Sequence, residues 1–405
     1  MRIGIAGPIT LSLLADHLTP ESAAISTYSF PYISQLALEY IRAGHSVDIF
    51  TSSTDAHELT VIDEGKIRLF IGRRRQSARA RGLDFFKVER DDIEKAINLA
   101  RPDVIHAHWT YEFASAALTV QPDSLVTAHD SPQALVRYYH HPYWWLRAAL
   151  GIVTIRKAEN VTVVSPTLSR QIELFTRRSV ESSVVPNGIS ITCGDEKKVA
   201  GDDSRRKPDK NAPVFACIAN GFDARKNTAA ALQAFAEARK RLPNAQLLMC
   251  GTDHEPDGQA HTWAGSRDCT TNVQFLGPVS HHTILKMLDN EIDVLLHTSV
   301  WEACSLAILE AQHRGVPVIG GDRSGGVPYT LDYGGAGVLT DISSPDKLSF
   351  AMVNLIENTS SYERISAASI SNIGRRFSFE MVSKTYLDML EKIFNKREQL
   401  REPVT

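Results

Sequence analysis

Val294-Leu-Leu-His-Thr-Ser-Val-Trp-Glu302-Ala-Cys-Ser305-Leu306-Ala-Ile-Leu-Glu310-Ala-Gln-His-Arg-Gly315-Val-Pro-Val-Ile-Gly-Gly-Asp322 is the stretch whose reading decides the fold. Val294 to Leu296 reads as a buried strand and Ser305 as a helix N-cap. Gly315 and Pro317 end that helix before a second strand, Val316 to Gly320. The pattern is half of a βαβ unit. On one continuous helix, side chains eight positions apart lie about 80° apart. Glu302, however, precedes the cap, so it belongs to the loop and Glu310 to the early helical turns. Ligands of open α/β sheets bind outside the carboxyl ends of the strands, so both carboxylates are expected at one pocket.

Outward from this stretch, strand and helix patterns alternate in two sets, the mark of doubly wound parallel sheets. The first set has strands at Arg2 to Ala6, Ser46 to Thr51, Val104 to Ala107, Leu125 to Ala128 and Val161 to Val164, with a helix from Pro31 to Ala43 stopped by Gly44. The second has strands at Val214 to Ala219, Gln246 to Cys250, Val273 to Leu276, Asp293 to Leu296 and Val316 to Ile319, with a helix from Thr228 to Arg241. A charged stretch between them, Glu196 to Asn211, carries six basic and four acidic residues and reads as a solvated loop. A chain of 405 residues suits two domains rather than one core. We place them at 1–186 and 187–376, with an amphipathic C-terminal segment at 377–405.

Bulk properties exclude more than they assign. A net charge of −3 with 22% charged residues gives no signal for nucleic acid. The five cysteines, Cys193, Cys217, Cys250, Cys269 and Cys304, are scattered in apolar settings without a C-x-x-C pair. That argues against disulfides or zinc and for a reducing compartment. With no signal-peptide core and no long apolar run, a cytoplasmic location is expected, either free or peripheral at a membrane face.

The E-x7-E pattern from Glu302 to Glu310, followed by Gly315-Val-Pro-Val, resembles the donor-site signature of retaining glycosyltransferases of family 4. Val185-Pro-Asn-Gly-Ile189, His106-Ala-His-Trp109, Thr127-Ala-His-Asp130 and Gly325-Gly-Val-Pro328 resemble further segments of that family, in the same order. The resemblance implies the GT-B fold, an α/β architecture of two Rossmann-like domains facing across a cleft, with the C-terminal segment returning to the first domain. It further implies transfer of a sugar from a UDP- or GDP-linked donor to a hydroxyl of a carbohydrate or lipid-linked acceptor, in bacterial-type surface polysaccharide or glycolipid synthesis.

By that resemblance Glu310 holds the ribose hydroxyls and Glu302 the transferred sugar, since carboxylates accept strong charge-assisted bonds from hydroxyls. The leaving diphosphate needs fixed positive charge. Lys226 matches the lysine of the family's G-R-L-x-x-x-K-G loop, while the arginine there finds only Asn220 or, with a shift, Arg225. Ser305, Leu306, Gly251, Gly325 and Phe275 are expected to line the donor pocket, Phe275 beside the base. His129 is expected at the transferred sugar, with Asp130, His106 and His108 on the acceptor side. His140-His141 and His281-His282 read as surface pairs. No D-x-D cluster appears, so neither an essential metal nor a cofactor is expected, and the oligomeric state stays open.

Rival readings are a non-catalytic nucleotide-sugar-binding or scaffolding protein, or another GT-B enzyme such as an epimerase or phosphorylase. Two readings also stand open for the arginine run Arg73, Arg74, Arg75, Arg79 and Arg81 and the aromatic run Tyr138 to Trp145. They form either a membrane-docking surface or a solvated loop beside a partly buried cluster.

Overall fold

A computed structural model describes residues 1–177, 184–190 and 207–401. The chain divides into two units, one of residues 1–190 with 379–405 and one of residues 191–378. Cys193 and residues 196–206 of the charged stretch lie outside the described residues.

The first unit holds β1 (Arg2–Ala6), β2 (Ser46–Ser53), β3 (Thr60–Asp63), β4 (Ile67–Arg73), β5 (Val104–His108), β6 (Leu125–Ala128) and β7 (Asn160–Val163) in the order β3-β4-β2-β1-β5-β6-β7. Every neighbouring pair is parallel except β3–β4, which is antiparallel. This edge ribbon corrects the expectation of a purely parallel sheet. Thr60–Asp63 is largely exposed and shows no buried run, whereas β4 is buried apart from Arg68 and Arg73.

Leaving β3 aside, the strands follow the doubly wound order, in which the winding reverses between β1 and β5. The C-terminal helix Phe379–Arg401 belongs to this unit. Phe379 N–H donates to the Ile189 carbonyl at 2.9 Å, Tyr386 is fully buried, and the Arg397 guanidinium pairs with Asp123.

The second unit holds β8 (Val214–Ile218), β9 (Gln246–Cys250), β10 (Val273–Gly277), β11 (Val294–His297), β12 (Val318–Gly321) and β13 (Val338–Thr340) in the order β10-β9-β8-β11-β12-β13, all parallel. Successive residues face opposite sides of a strand. Leu247 and Met249 accordingly join Phe235 and Leu348 in one core layer, while Leu248 joins Ile284, Leu288 and Ile308 in the other. Helices cover both faces of this sheet. β12 starts two residues later than expected because Pro317 has no N–H for the ladder; its carbonyl instead accepts from Leu295. The winding reverses between β8 and β11, so the loops after these two strands meet at the switch point.

Candidate functional site

The loop after β8 is shaped by Asp223, whose carboxylate accepts the backbone N–H groups of Arg225 and Lys226, both at 2.8 Å. This turn presents two adjacent cations just before the helix Thr228–Ala238. The loop after β11 runs beside it. Val300 N–H donates to the Arg225 carbonyl at 2.8 Å, and the Thr298 hydroxyl to the Lys226 carbonyl at 3.1 Å. Both cations converge on Glu302 Oε1, with Lys226 Nζ at 2.6 Å and Arg225 Nη1 at 3.2 Å.

Burial pushes the Glu302 carboxyl up, but Lys226, His297 and Arg225 together outweigh it and hold the group below its ordinary value. Burial drives His297 itself down to about 4, so at neutral pH the two fixed cations carry the compensation. Glu302 thus shares one carboxylate oxygen between two cations.

The backbone of Glu302 is clamped from the other side. Gly326 N–H donates to the Glu302 carbonyl at 2.7 Å, and Glu302 bridges Gly325 in parallel fashion. Gly325 has φ +65°, and a Cβ there would lie 2.5 Å from that same carbonyl oxygen. Only glycine fits both demands. Gly325 therefore shapes the loop that carries Glu302.

Ser305 precedes the helix Leu306–His313 as its N-cap, but its hydroxyl bonds His297 Nε2 at 3.1 Å and makes no capping bond. Leu306 and Glu310 are one turn apart on the same helix face and both are half-buried, whereas Ile308 and Leu309 enter the core. Glu310 Oε1 is 2.7 Å from His281 Nε2, at the start of the helix His281–Asn290. His281, read from sequence as half of a surface pair, thus has a specific carboxylate partner.

Two further expected pocket residues are Gly251 and Phe275. Gly251 has φ +120°, and a Cβ on it would meet the Ala219 carbonyl oxygen at 1.9 Å, so it permits the close approach of the loops after β8 and β9. Phe275 is half-buried against the core layer around Phe215 and lies 4.8 Å from the His261 ring.

In the first unit, His129 and Asp130 follow β6 and are both half-buried. His129 Nε2 lies 3.0 Å from His108 Nδ1, and Asp130 accepts from the Tyr111 hydroxyl at 2.7 Å. Burial lowers His129 to about 4, so the imidazole is neutral near pH 7. His106 and His108 are both within β5 and fully buried, a correction to their expected place on the acceptor side. His106 bonds Tyr40 at 2.8 Å and Thr127 at 2.7 Å, and the Tyr386 ring lies 4.6 Å from it. It is a core histidine. His108 stands behind His129 and touches it directly.

The arginine run is mostly committed internally. Arg73 pairs with Asp92 at 2.7 Å and Arg75 with Asp84 and Glu89 at 2.8 and 2.7 Å. Arg74 stacks on Tyr28 at 3.5 Å, and buried Arg81 donates to the Arg75 and Gln76 carbonyls. Arg79 alone of the five is exposed. Neutralised arginines make a weak anchor for an anionic surface.

The family described as glycosyl transferases group 1 matches residues 201–371, and that described as Glycosyltransferase Family 4 matches residues 31–192. The chain is a member of glycosyltransferase family 4. A GDP-mannose-dependent monoacylated α-(1-6)-phosphatidylinositol monomannoside mannosyltransferase of Corynebacterium glutamicum is 28% identical over 158 residues. That match spans 36% of this chain and 38% of the relative's length.

Sucrose-phosphate synthase from Thermosynechococcus elongatus is similar in structure, with a TM-score of 0.72 at 17% identity over 98% of this chain and 100% of the other. Anabaena HepE in complex with UDP and glucose is also similar, with a TM-score of 0.66 at 16% identity over 97% and 100%. These likenesses establish the GT-B fold for this family 4 chain. Among its described residues no helix is long and apolar enough to cross a membrane.

Sequence reasoning missed three groups that order this family 4 site. Asp223 aligns the basic pair, His297 sits under Ser305, and His281 meets Glu310. An Asx signal two residues before Arg225 was available in the sequence for the first. No local pattern announced the other two.

Proposed function

We propose that this chain is a retaining glycosyltransferase that moves a sugar from a UDP- or GDP-linked donor to a hydroxyl acceptor in surface polysaccharide or glycolipid synthesis. The observation that carries the reading is the convergence of Arg225 and Lys226 on Glu302, at the switch point where open α/β sheets bind ligands. A nucleotide sugar brings a diphosphate and many hydroxyls. The two cations suit the first, and the carboxylates of Glu302 and Glu310 suit the second.

In this reading the diphosphate attracts Lys226 and Arg225, and the sugar hydroxyls take up the acceptor capacity of Glu302. As the bond from the anomeric carbon to phosphate breaks, its electron pair passes to the phosphate oxygen. The cations stabilise that growing charge. The acceptor oxygen bonds to the anomeric carbon on the same face, and its proton passes to the departing phosphate. Glu310 holds the ribose. Neutral His129 is a hydrogen-bonding partner for a sugar hydroxyl, and Asp130 an acceptor for the incoming hydroxyl.

No step here draws on a metal. Similarity to a GDP-mannose-dependent enzyme and to a UDP-binding structure supports the two donor classes considered. The free, buried thiols of Cys217, Cys250 and Cys269 fit a reducing compartment.

The test is nucleotide release from UDP- and GDP-sugars by the purified protein, with and without simple glycoside and lipid-linked acceptors. Acceptor-stimulated release with an unchanged anomeric configuration in the product supports the reading. An inverted product, or donor binding without turnover under any acceptor, contradicts it.

A further inference from the structure

The partner of Glu310 carries a consequence beyond nucleotide-sugar transfer itself. His281 opens its helix directly after the Ser280 cap, whose hydroxyl accepts from Thr283 N–H. Its imidazole is more than half exposed, yet Nε2 reaches across to Glu310 Oε1 at 2.7 Å. A carboxylate has about four lone-pair sites, so a single donor on Oε1 fixes its rotation and still leaves room for two hydroxyls.

We infer that His281 is a positioning residue for donor binding: it holds the Glu310 carboxylate in the orientation that receives the ribose diol, and it stays bonded when the donor arrives. The inference rests on the proposed donor reading. It assigns to this chain a second determinant of nucleotide affinity, on a helix separate from the E-x7-E segment.

Glu310 and Arg314 are the charged side chains that act on His281. Glu310 faces it from the helix Leu306–His313, and Arg314 follows at that helix's C-cap. Arg314 lies 3.5 Å from Asp289 on His281's own helix, which mutes its repulsion. The hydrogen bond from Glu310 raises the imidazole above its ordinary pKa against the opposing effect of burial. In the range where His281 titrates, the protonated ring gives a charge-assisted bond to Glu310 and adds positive charge near an anionic donor. Donor affinity then increases as pH falls from 8 to 6. The phosphates of a nucleotide sugar are fully ionised over that range, so the ligand does not supply the titration.

The experiment is calorimetric titration with UDP-glucose and with GDP-mannose at pH 6, 7 and 8, for wild type, Glu310→Ala, His281→Ala and His281→Gln. The His281 side of the pair is more than half exposed and acts on the donor only through Glu310. Its loss therefore predicts weaker binding by His281→Ala of about 5- to 10-fold at pH 6, less than a buried charge-assisted bond would give. The same variant is expected to raise KM with little change in kcat. His281→Gln, which keeps an N–H donor, restores most of the pH 8 affinity and abolishes the pH dependence.

Wild-type affinity in His281→Ala, or wild-type binding that tightens as pH rises, overturns the inference. Failure of wild type to bind either donor, or unchanged affinity in Glu310→Ala, overturns the donor reading and the inference with it. Impaired Glu310→Ala beside normal His281→Ala removes the inference alone.

Discussion

Lys226 Nζ stands 2.6 Å from Glu302 Oε1 and ties the loop after β8 to the loop after β11. The pair belongs to a three-membered cluster, because Arg225 reaches the same oxygen. A buried carboxylate stripped of its cations is costly, whereas a diphosphate offers those cations a new partner. Lys226→Ala is therefore expected to lower kcat by about 10²-fold or more, in line with loss of other fixed transition-state charges. Steady-state kinetics on the folded variant checks this, with Arg225→Ala beside it. An unchanged kcat removes Lys226 from the chemistry.

Glu302→Gln keeps the shape of the side chain but gives up its negative charge. Turnover is expected to fall more than donor affinity, because the cations stay free to meet the diphosphate while the sugar hydroxyls lose a charged acceptor. Separate measurement of Kd and kcat decides it. Weakened donor affinity with an unchanged kcat would place Glu302 in ground-state binding only.

Gly325→Ala should act on Glu302 through the backbone. The added methyl would meet the Glu302 carbonyl oxygen at 2.5 Å, in a left-handed conformation that alanine disfavours. We expect destabilisation of about 1–3 kcal/mol, seen as a lower Tm, together with reduced turnover. A variant as stable and active as wild type would show that this loop does not constrain Glu302.

Buried neutral histidines set the acid response. His106 lies near pKa 3 and His129 near 4, in each case chiefly through burial. In an unfolded chain both take up protons near pH 6.5. Above that pH neither state is protonated and their contribution to stability is full. As pH falls further, only the unfolded chain gains protons, so stability drops by up to about 1.4 kcal/mol per pH unit for each group until the folded values are reached. Thermal melts between pH 7 and 5 should show a falling Tm, with a shallower slope in His106→Gln. A flat profile would contradict the buried, neutral assignment.

The difference between what could and could not be read from the chain follows from the range of the interactions. Glu302, Ser305 and Glu310 were placed correctly as loop, N-cap position and helix because the stop signals Gly315 and Pro317 act within a few residues. The Ser305 hydroxyl itself, however, bonds His297 rather than capping the helix. Lys226 was likewise legible, since a basic pair lies in the loop between a strand and a helix. His106 was not. Its sequence neighbours suggest a strand end, and only Tyr40 and Tyr386, far away in the chain, enclose it. His281 escaped for the same reason in reverse, because the carboxylate that gives it a role lies 29 positions later. The edge strand β3 was hidden by exposure, which erases the apolar alternation that marks a strand.

Calorimetry of donor binding tests the central claim most directly. UDP, GDP and ADP and their sugars would be titrated into wild type and into Glu310→Ala. The account predicts one-to-one binding of a UDP- or GDP-linked donor, weakened in Glu310→Ala by about 1.5–3 kcal/mol, roughly 10- to 150-fold. Absence of binding by every nucleotide sugar, or equal affinity in the variant, would contradict it.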